Sequence, residues 1–302
     1  MRVLITGAGG TLGTTLAPML AEAGHEPVLF DVRPLETRHR FVQGDIRRLE
    51  DVRRAVEGSE FVVHTAAIHG IHLRDHAPEQ FHDLNLTGTF NIWEAAVRAE
   101  VGGMVFSSTM GVYGDSRRPP RHDAVVRLGE DVPLLPNDIY GYTKVAGEEM
   151  CRYYGRRHGI PSVALRYGMF VPEPFFREGI RLLYGGVDAR DVARAVVAAM
   201  DAVAGGRVRW DACNVMSSVP FAEEDGPQLR ADPLAALDRY YPGAGDLLRG
   251  RGVERLAPVT EYYPIRHAAE VLGFQPQRNV EQWLEELATR PGMRAQGSPP
   301  WP

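Results

Sequence analysis

Short hydrophobic runs recur along the first two thirds of the chain, separated by stretches with apolar residues at helical spacing. Most of the runs are continuously apolar, as strands buried on both faces must be. Because strands alternate with helices, the pattern predicts an α/β fold with a doubly wound parallel sheet. The predicted strands are Val3–Thr6, Val28–Asp31, Phe41–Gly44, Phe61–Thr65, Met104–Ser108, Val163–Tyr167 and Asp211–Met216.

Two long helices, Glu79–Arg98 and Asp138–His158, are predicted in the second half of this sheet. After Met216 the pattern loosens into helical pieces interrupted by Pro and Gly. We expect these pieces to form a small lid over the carboxyl ends of the strands, where open α/β sheets bind ligands. The lid pieces are Phe170–Gly186, Pro233–Tyr241, Ala244–Arg251 and Ile265–Gly273.

A glycine-rich turn joins the first predicted strand to the helix Thr11–Ala23. Gly7, Gly10 and Gly13 allow positive φ, close approach of the backbone to a pyrophosphate and tight helix packing. The positive end of the helix points at that pyrophosphate. Asp31 ends the second strand, where dinucleotide folds hold the adenosine ribose. The motif therefore predicts a Rossmann-type dinucleotide site.

These patterns divide the chain into two predicted domains. Residues 1–168 and 188–216 form the Rossmann domain, and residues 169–187 and 217–289 form a small C-terminal substrate-binding lid. The Pro/Gly-rich residues 290–302 are expected to be a flexible tail.

Composition narrows the class of protein further. The net charge of -5 gives no basic surface for nucleic acid, which is therefore not an expected partner. Cys151 and Cys213 lie in a predicted helix and a predicted strand, so no disulfide framework is expected. The chain begins with a core strand rather than a targeting segment, and no apolar run reaches membrane-spanning length. These features favour a cytoplasmic protein with no membrane partner.

Two further segments carry candidate catalytic side chains. One is Ser107-Ser-Thr109 at the end of the fifth strand, and the other is Tyr140-Gly-Tyr-Thr-Lys144, about thirty residues later. Tyr140 and Lys144 are four residues apart and share a helix face, whereas Tyr142 points away. A tyrosine pKa near 10 must fall by about three units for acid/base work at neutral pH. The charges of Lys144 and of an oxidised nicotinamide are suitable sources of that fall. An amphipathic helix can show the same spacing without any catalytic role.

Between residue 1 and about residue 216, these motifs follow one another in the same order as in the extended short-chain dehydrogenase/reductases. The chain resembles the NAD-dependent epimerase/dehydratase family of that group. The resemblance implies NAD as cofactor and Thr109, Tyr140 and Lys144 as catalytic residues. Tyr140 would move the proton of a substrate hydroxyl, Thr109 would hydrogen-bond the same oxygen, and Lys144 would hold the nicotinamide ribose. The expected cofactor-binding residues are Gly7, Gly10, Thr11, Leu12, Gly13, Asp31, Asp45, Ile46, Thr65, Ala66, Ala67, Ser107, Tyr140, Lys144 and Tyr167.

Two departures from the family pattern bear on the substrate. Met110-Gly111 replaces the Asp-Glu pair of the family's sugar-nucleotide dehydratases, which disfavours a dehydratase. The segment between Tyr167 and Asp188 is short and apolar, with Arg177 and Arg181 as its cations. Either these arginines bind a phosphate of the substrate, or the substrate carries no nucleotide. We favour the second interpretation. The predicted substrate residues are His69, Thr109, Met110, Gly168 and Arg177.

Three functions stay open. The first is an NAD-dependent oxidoreductase acting on a secondary alcohol or carbonyl of a sugar-like or other polar small molecule. The second is a nucleotide-sugar 4-epimerase with tightly bound NAD, and the third is a non-enzymatic cofactor sensor. No metal is expected, because the spacing of His69, His72 and His76 matches no common zinc pattern.

Assembly is inferred from the resemblance as well. In relatives the two long helices pair with their copies across a twofold axis, so a homodimer is expected. The apolar residues expected at that contact are Phe90, Ile92, Trp93 and Val97.

Overall fold

The computed structural model describes residues 1–295, which form a seven-stranded parallel sheet between two layers of helices. A separate two-stranded parallel sheet joins Val126–Arg127 to Glu261–Tyr262. The strands are β1 (Arg2–Thr6), β2 (Glu26–Asp31), β3 (Arg40–Gln43), β4 (Phe61–His64), β5 (Met104–Thr109), β6 (Val126–Arg127), β7 (Ser162–Tyr167), β8 (Trp210–Val215) and β9 (Glu261–Tyr262).

Helices follow most of the strands of the large sheet. In chain order they are α1 (Thr11–Glu22), α2 (Leu49–Val56), α3 (Pro78–Phe81), α4 (Gly88–Arg98), α5 (Ile139–His158), α6 (Phe175–Arg181), α7 (Ala189–Ala204), α8 (Gly226–Ala231), α9 (Pro233–Tyr240), α10 (Ala244–Gly250), α11 (Arg266–Leu272) and α12 (Val280–Ala288). None of the helices within residues 1–295 is both long and apolar enough to cross a membrane.

The strand order β3-β2-β1-β4-β5-β7-β8 confirms the predicted doubly wound sheet. The chain winds outward from β1 in one direction and from β4 in the other. Beyond the carboxyl ends of β1 and β4, where Thr6 pairs with His64, the flanking helices diverge and leave a crevice. This crevice is the expected ligand-binding edge of such a sheet.

Alternate residues of the central strands pack in two separate hydrophobic cores, one on each face of the sheet. Val3 and Ile5 of β1 face α1, α7 and α11, whereas Leu4 of the same strand faces α2, α4 and α5. Because both faces are covered, the strands are apolar throughout, as the sequence pattern indicated.

The lid has its own core, built from α6, α8, α9, α10 and α12. Trp283 of α12 is fully buried at its centre. A Cβ on Gly179 of α6 would lie only 1.8 Å from the Trp283 ring, so this glycine permits the two helices to pack. The helix α12 that carries the tryptophan was not anticipated from the sequence.

The packing differs from the predicted domain boundaries at two places. The helix α11 was assigned to the lid, but its Ala268 and Leu272 pack in the core with α7, and the helix contacts β8. The residues from Arg290 onward were expected to be a flexible tail, yet Met293 and Ala295 pack against the lid core. Apolar contact holds this part of the segment, and the remainder of the predicted tail, 296–302, lies outside the described residues.

The predicted helix Glu79–Arg98 contains an irregular turn. A π-helical segment, His82–Thr87, separates α3 from α4. The prediction that Phe90, Ile92, Trp93 and Val97 all face outward is also partly wrong. Ile92 and Trp93 are fully buried, and Val97 packs beside them. Of the four residues expected at a dimer contact, Phe90 is the large exposed one, since its neighbours are needed to cover the sheet.

A buried ion pair connects α5 to the sheet behind its carboxyl edge. Arg166 of β7 donates to Glu148 of α5 through Nη2 at 2.8 Å and Nε at 3.0 Å, and both side chains are almost inaccessible. Ser108 donates to Glu148 at 2.6 Å, and Arg166 donates to the Tyr113 hydroxyl at 3.1 Å. Each buried charge is therefore both paired and hydrogen-bonded, which offsets the cost of removing it from water.

Replacing Arg166 by Met should strongly destabilise the protein, because Glu148 would be left buried without its counterion. We expect the free energy of unfolding in urea to fall by about 3–5 kcal/mol. Arg54→Met is the matched control: Arg54 is mostly exposed in its pair with Asp51, so the loss should stay below about 1 kcal/mol. Equal losses for the two variants would contradict the role assigned to burial.

Candidate active site

The turn after β1 approaches β4 so closely that it requires glycine. Gly7 has a φ of 66°, and a Cβ on it would lie 2.8 Å from the Ala66 backbone. A Cβ on Gly13 would lie 2.5 Å from the Ala8 backbone, so α1 can sit against the strand only because Gly13 has no side chain. The predicted positions Thr65, Ala66 and Ala67 therefore lie beside the glycine turn.

The first turn of α1 offers unpaired backbone donors. Gly10 is the residue before the helix, no side chain caps it, and the first turn holds no acidic residue. The N–H groups of Thr11, Leu12 and Gly13 have no carbonyl partner within the helix. Together with the helix dipole, these donors form an anion site of the kind that binds a pyrophosphate.

Asp31 lies at the end of β2 beside this turn, as predicted. Its Oδ2 accepts from Gly9 N at 2.9 Å and its Oδ1 from Arg33 N at 2.9 Å. The side chain is nearly buried, and these bonds fix its orientation. Each oxygen retains a lone pair for a ribose hydroxyl. The glycine cradle, the donors of α1 and this carboxylate fit a dinucleotide.

Asp45 and Ile46 occupy the loop after β3. Asp45 accepts from the Arg47 guanidinium through both oxygens, and this hydrogen bonding lowers the pKa of Asp45. Ile46 is buried, and its carbonyl accepts from Asn91 at 2.9 Å. The loop is therefore held rigidly at the side of the sheet on which Asp31 lies.

His64, at the end of β4, was not singled out from the sequence. Its Nδ1 lies 2.7 Å from Thr6 Oγ1 and its Nε2 lies 2.9 Å from Thr89 Oγ1. Burial, with a smaller contribution from the charge of Lys144, lowers the pKa of His64 to about 3, so it is neutral. A histidine ending an otherwise apolar strand beside the glycine turn was the available signal.

The three predicted catalytic residues come together at the carboxyl end of β5. Lys144 Nζ donates to the Ser107 carbonyl at 2.8 Å and lies 5.9 Å from the centre of the Tyr140 ring. Thr109, at the end of β5, accepts from Gly111 N at 3.1 Å, and its hydroxyl is close enough to Tyr140 to act on the pKa of that phenol. Tyr142 is instead exposed on the outer side of α5.

Protein groups alone do not activate Tyr140. Burial raises its pKa to about 12, and the nearby Thr109 hydroxyl only partly opposes this rise. Burial also lowers the pKa of Lys144 to about 7. Without a further positive charge, the tyrosine is therefore protonated at neutral pH, and the lysine is close to half charged.

Two predicted cofactor residues carry buried hydroxyls directed at the same region. Ser107 Oγ and Tyr167 Oη are both buried and neither makes a hydrogen bond of normal geometry. Such groups are costly unless a ligand or water pairs them. Gly168 follows Tyr167, and a Cβ there would lie 2.0 Å from the Gly185 carbonyl, so the close contact of this strand end with the lid requires glycine.

The loop after β4 covers Tyr140. Asn85 in the π-helical turn accepts from Ile68 N at 2.8 Å and donates to the Ile68 carbonyl at 3.0 Å, which fixes the loop. A Cβ on Gly70 would lie 2.9 Å from Tyr140, and the His69 ring centre is 6.2 Å from the Tyr140 ring centre. The structure therefore brings His69 to the tyrosine.

A cavity of about 510 Å³ lies between Thr11 of α1 and the lid. Arg181 lines it and makes a bidentate pair with Glu173, while Arg177 Nε lies 3.1 Å from Glu173 and is not among the cavity-lining residues. Met110 lies by the Gly185 backbone, where the lid meets the sheet. The structure thus places His69, Thr109 and Met110 near the sheet edge and Arg177 farther out on α6.

This arrangement of a Rossmann sheet, a glycine cradle and a tyrosine-lysine pair defines a dinucleotide-dependent enzyme. Residues 3–173 match the NAD dependent epimerase/dehydratase family. The chain belongs to that family, within the extended short-chain dehydrogenase/reductases, and its cofactor is NAD.

Three curated relatives show the range of the family. The chain is 34% identical to L-arabinose 1-dehydrogenase (NAD(P)(+)) of Haloferax volcanii, over 59% of the chain and 70% of that protein. It is 29% identical to uronate dehydrogenase of Pseudomonas syringae, over 78% and 88%. It is 32% identical to UDP-glucose 4-epimerase of Streptomyces lividans, over 55% and 51%.

The fold also matches solved structures. A short-chain dehydrogenase/reductase superfamily protein from Agrobacterium tumefaciens with bound NAD superposes with a TM-score of 0.73 at 22% identity. The match covers 96% of each chain. At this identity the likeness concerns the fold, and it extends through the lid as well as the Rossmann domain.

Tyr140→Phe should lower kcat by on the order of a hundredfold or more and leave the Kd for NAD nearly unchanged, because it removes only the proton-transferring hydroxyl. Tyr142→Phe on the same helix is the matched control and should keep full activity. Steady-state kinetics with cofactor titration measure both. A larger loss in the Tyr142 variant would show that the wrong helix face has been assigned.

Proposed function

We propose that this protein is an NAD-dependent dehydrogenase that acts on a hydroxyl or carbonyl of a free sugar or sugar acid, without a nucleotide. The observation that carries the proposal is the charge of the cavity beside the lid. Its lining includes the guanidinium groups of Arg181, Arg190 and Arg278, and carboxylates accompany each of them.

The pairing is direct in each case. Arg181 pairs with Glu173, and Arg190 pairs with Asp188 at 2.8 Å. Arg278 lies 2.9 Å from Glu286, 3.2 Å from Glu178 and 3.7 Å from Asp188.

With these three arginines against four lining carboxylates, the described part of the cavity is formally negative by one charge. A nucleotide diphosphate needs several cationic or N–H donors, because its oxygens are costly to desolvate unpaired. The lining therefore favours a substrate without a diphosphate. The extent of the likeness to the relatives points the same way, since the uronate dehydrogenase match covers most of both chains and the epimerase match about half.

In the proposed reaction Tyr140 takes the proton of the substrate hydroxyl, and Thr109 hydrogen-bonds the same oxygen. Bound NAD supplies the hydride acceptor and, when oxidised, a positive charge near the tyrosine. That charge would lower the pKa of Tyr140. Lys144 would hold the nicotinamide ribose, and Ser107 and Tyr167 would contribute their buried hydroxyls to the cofactor site. His69 and Arg177 remain proposed substrate contacts.

The alternative is a nucleotide-sugar 4-epimerase, in which hydride leaves and returns and the cofactor is regenerated. It is favoured by the match to the UDP-glucose 4-epimerase of Streptomyces lividans over about half of the chain. We further propose a cytoplasmic homodimer. The cysteines Cys151 and Cys213 are unpaired, which suits a reducing compartment.

Mixing the enzyme with NAD and a panel of free aldoses and uronic acids should produce NADH, measured by its absorbance. UDP-, GDP- and dTDP-sugars should give none, because the arginines that line the cavity are already paired with carboxylates. The Tyr140→Phe variant serves as the inactive control. Epimer formation from a nucleotide sugar without NADH accumulation would reject the dehydrogenase and support the epimerase.

NAD should bind more tightly than NADP, because the Asp31 carboxylate accepts ribose hydroxyls and repels a 2′-phosphate. Arg33 lies within 3.6 Å of Asp31 and is the opposing feature. Asp31→Ala should weaken NAD binding by roughly 10–100-fold, the value of a hydrogen bond to a charged group. Arg33→Ala should leave NAD affinity nearly unchanged. Calorimetric titration showing tighter NADP binding by the native protein would contradict the assignment.

The outer surface of α4 and α5 carries an apolar groove that includes Phe90, Tyr142 and Tyr153, each about half exposed. We propose that a second copy of the chain covers it. Phe90→Glu combined with Tyr153→Glu should yield a monomer in light scattering at micromolar concentration. Leu135→Glu, an equally exposed apolar position outside the groove, should leave the dimer intact. A monomeric native protein would exclude the proposal.

A further inference from the structure

Three side chains with metal-binding atoms converge at the edge of the sheet, outside the site described above. Asp211 and Cys213 are two residues apart on β8 and so project from the same face of the strand. His267 is the second residue of α11, which packs on this strand. One potential ligand atom from each residue lies within 4.8 Å of the other two.

The donor set is one that transition metals prefer. Thiolate, imidazole and carboxylate together suit Zn²⁺, which binds sulfur at about 2.3 Å and nitrogen or oxygen at about 2.0–2.2 Å. Tetrahedral ligands at such distances are separated by roughly 3.3–3.8 Å. The His267 Nε2 to Asp211 Oδ1 distance is 2.8 Å, so these two atoms need to separate by only about half an ångström.

The surroundings favour a bound cation. Cys213 is fully buried, whereas Asp211 and His267 are partly exposed and leave a route for an ion and a water ligand. A divalent ion would balance the Asp211 carboxylate and a Cys213 thiolate. The partly buried Glu130 carboxylate adds negative potential at the same place, and its Oε1 accepts from Asn214 N at 2.7 Å.

The cluster is distinct from the catalytic residues. Asp211 pairs in register with Val163, which pairs with Val105, four positions before Thr109 on β5. Along the strands this offset is roughly 13 Å for Asp211. Cys213 is in register with Leu165 and so with Ser107, two positions before Thr109, but β7 lies between β8 and β5. A metal here would be structural, because it would tie α11, which lies between the lid helices α10 and α12 in the chain, to the edge strand.

We propose that Asp211, Cys213 and His267 bind one zinc ion, with water as the fourth ligand. On binding, the Cys213 thiol releases its proton to solvent and its sulfur forms the bond to the metal. The thiolate, the carboxylate and the neutral imidazole then complete a neutral site with three protein ligands. The ion joins β8 to α11 without contributing to the reaction.

The test uses the full chain, freed of metal by a chelator and kept reduced. Titration with Co²⁺ should give one equivalent of binding with a sulfur-to-cobalt charge-transfer band in the near ultraviolet, and Zn²⁺ should displace it. Zn²⁺ should also raise the Tm, because it binds the folded state. Cys213→Ala should abolish the band, whereas Cys151→Ala, which removes the other buried cysteine, should keep it.

His267→Gln provides a second variant at a partly exposed position that tolerates substitution more readily. It should weaken Co²⁺ binding by at least roughly tenfold, since even loss of an outer-shell partner has an effect of that size. Circular dichroism verifies that each variant is folded. No band in the native protein, a band that persists in Cys213→Ala, or a zinc-induced rise in Tm that is unchanged in His267→Gln would each overturn the proposal.

Discussion

Close contact between the turn after β1 and the end of β4 is the constraint on which the rest of the molecule depends. Ala66 lies so near Gly7 that any side chain there would collide with its backbone. The same turn leads into α1, whose free N–H groups face the crevice. It also positions Gly9 N to donate a hydrogen bond to the Asp31 carboxylate. Thr6 and His64 are paired in the sheet and hydrogen-bonded through their side chains. This connects the glycine turn after β1 to the end of β4, next to the strand that carries Thr109.

The sheet could be predicted from sequence because its strands are locally explicit. Continuous apolar runs bounded by glycine define β1, β2, β4, β5 and β7 within a residue or two, and the helix spacing places Tyr140 and Lys144 on one face. The lid could not be predicted as well, because its helices are short and its core is formed from segments far apart in the chain. Trp283 meets Gly179 across about a hundred residues. Helical periodicity in α11 is equally compatible with either core, and only the tertiary contacts of Ala268 and Leu272 assign it to the sheet.

The residues of the candidate site also fall into those that could be predicted from the sequence and those that could not. Tyr140, Lys144 and Thr109 carry a recognisable spacing, so their convergence could be anticipated. Partners that depend on three-dimensional proximity could not: Glu173 neutralises Arg181, and Glu148 accepts from Arg166. The sequence left open whether Arg181 binds a phosphate, and its pairing with Glu173 supports the proposed substrate without a nucleotide.

The electrostatics of Tyr140 show why this site needs its cofactor for more than hydride transfer. Burial raises the pKa of Tyr140 and lowers that of Lys144, so the two residues by themselves move away from the phenolate and ammonium pair that catalysis requires. Lys144 is held by the Ser107 carbonyl, and the Thr109 hydroxyl lowers the pKa of Tyr140 by less than burial raises it. In the proposed mechanism, an oxidised nicotinamide would supply positive charge that lowers the pKa of Tyr140, and Lys144 would hold the nicotinamide ribose. Cofactor binding and activation of the base are consequently coupled, and the protein's contribution is to hold both groups in a buried setting where the added charge acts strongly.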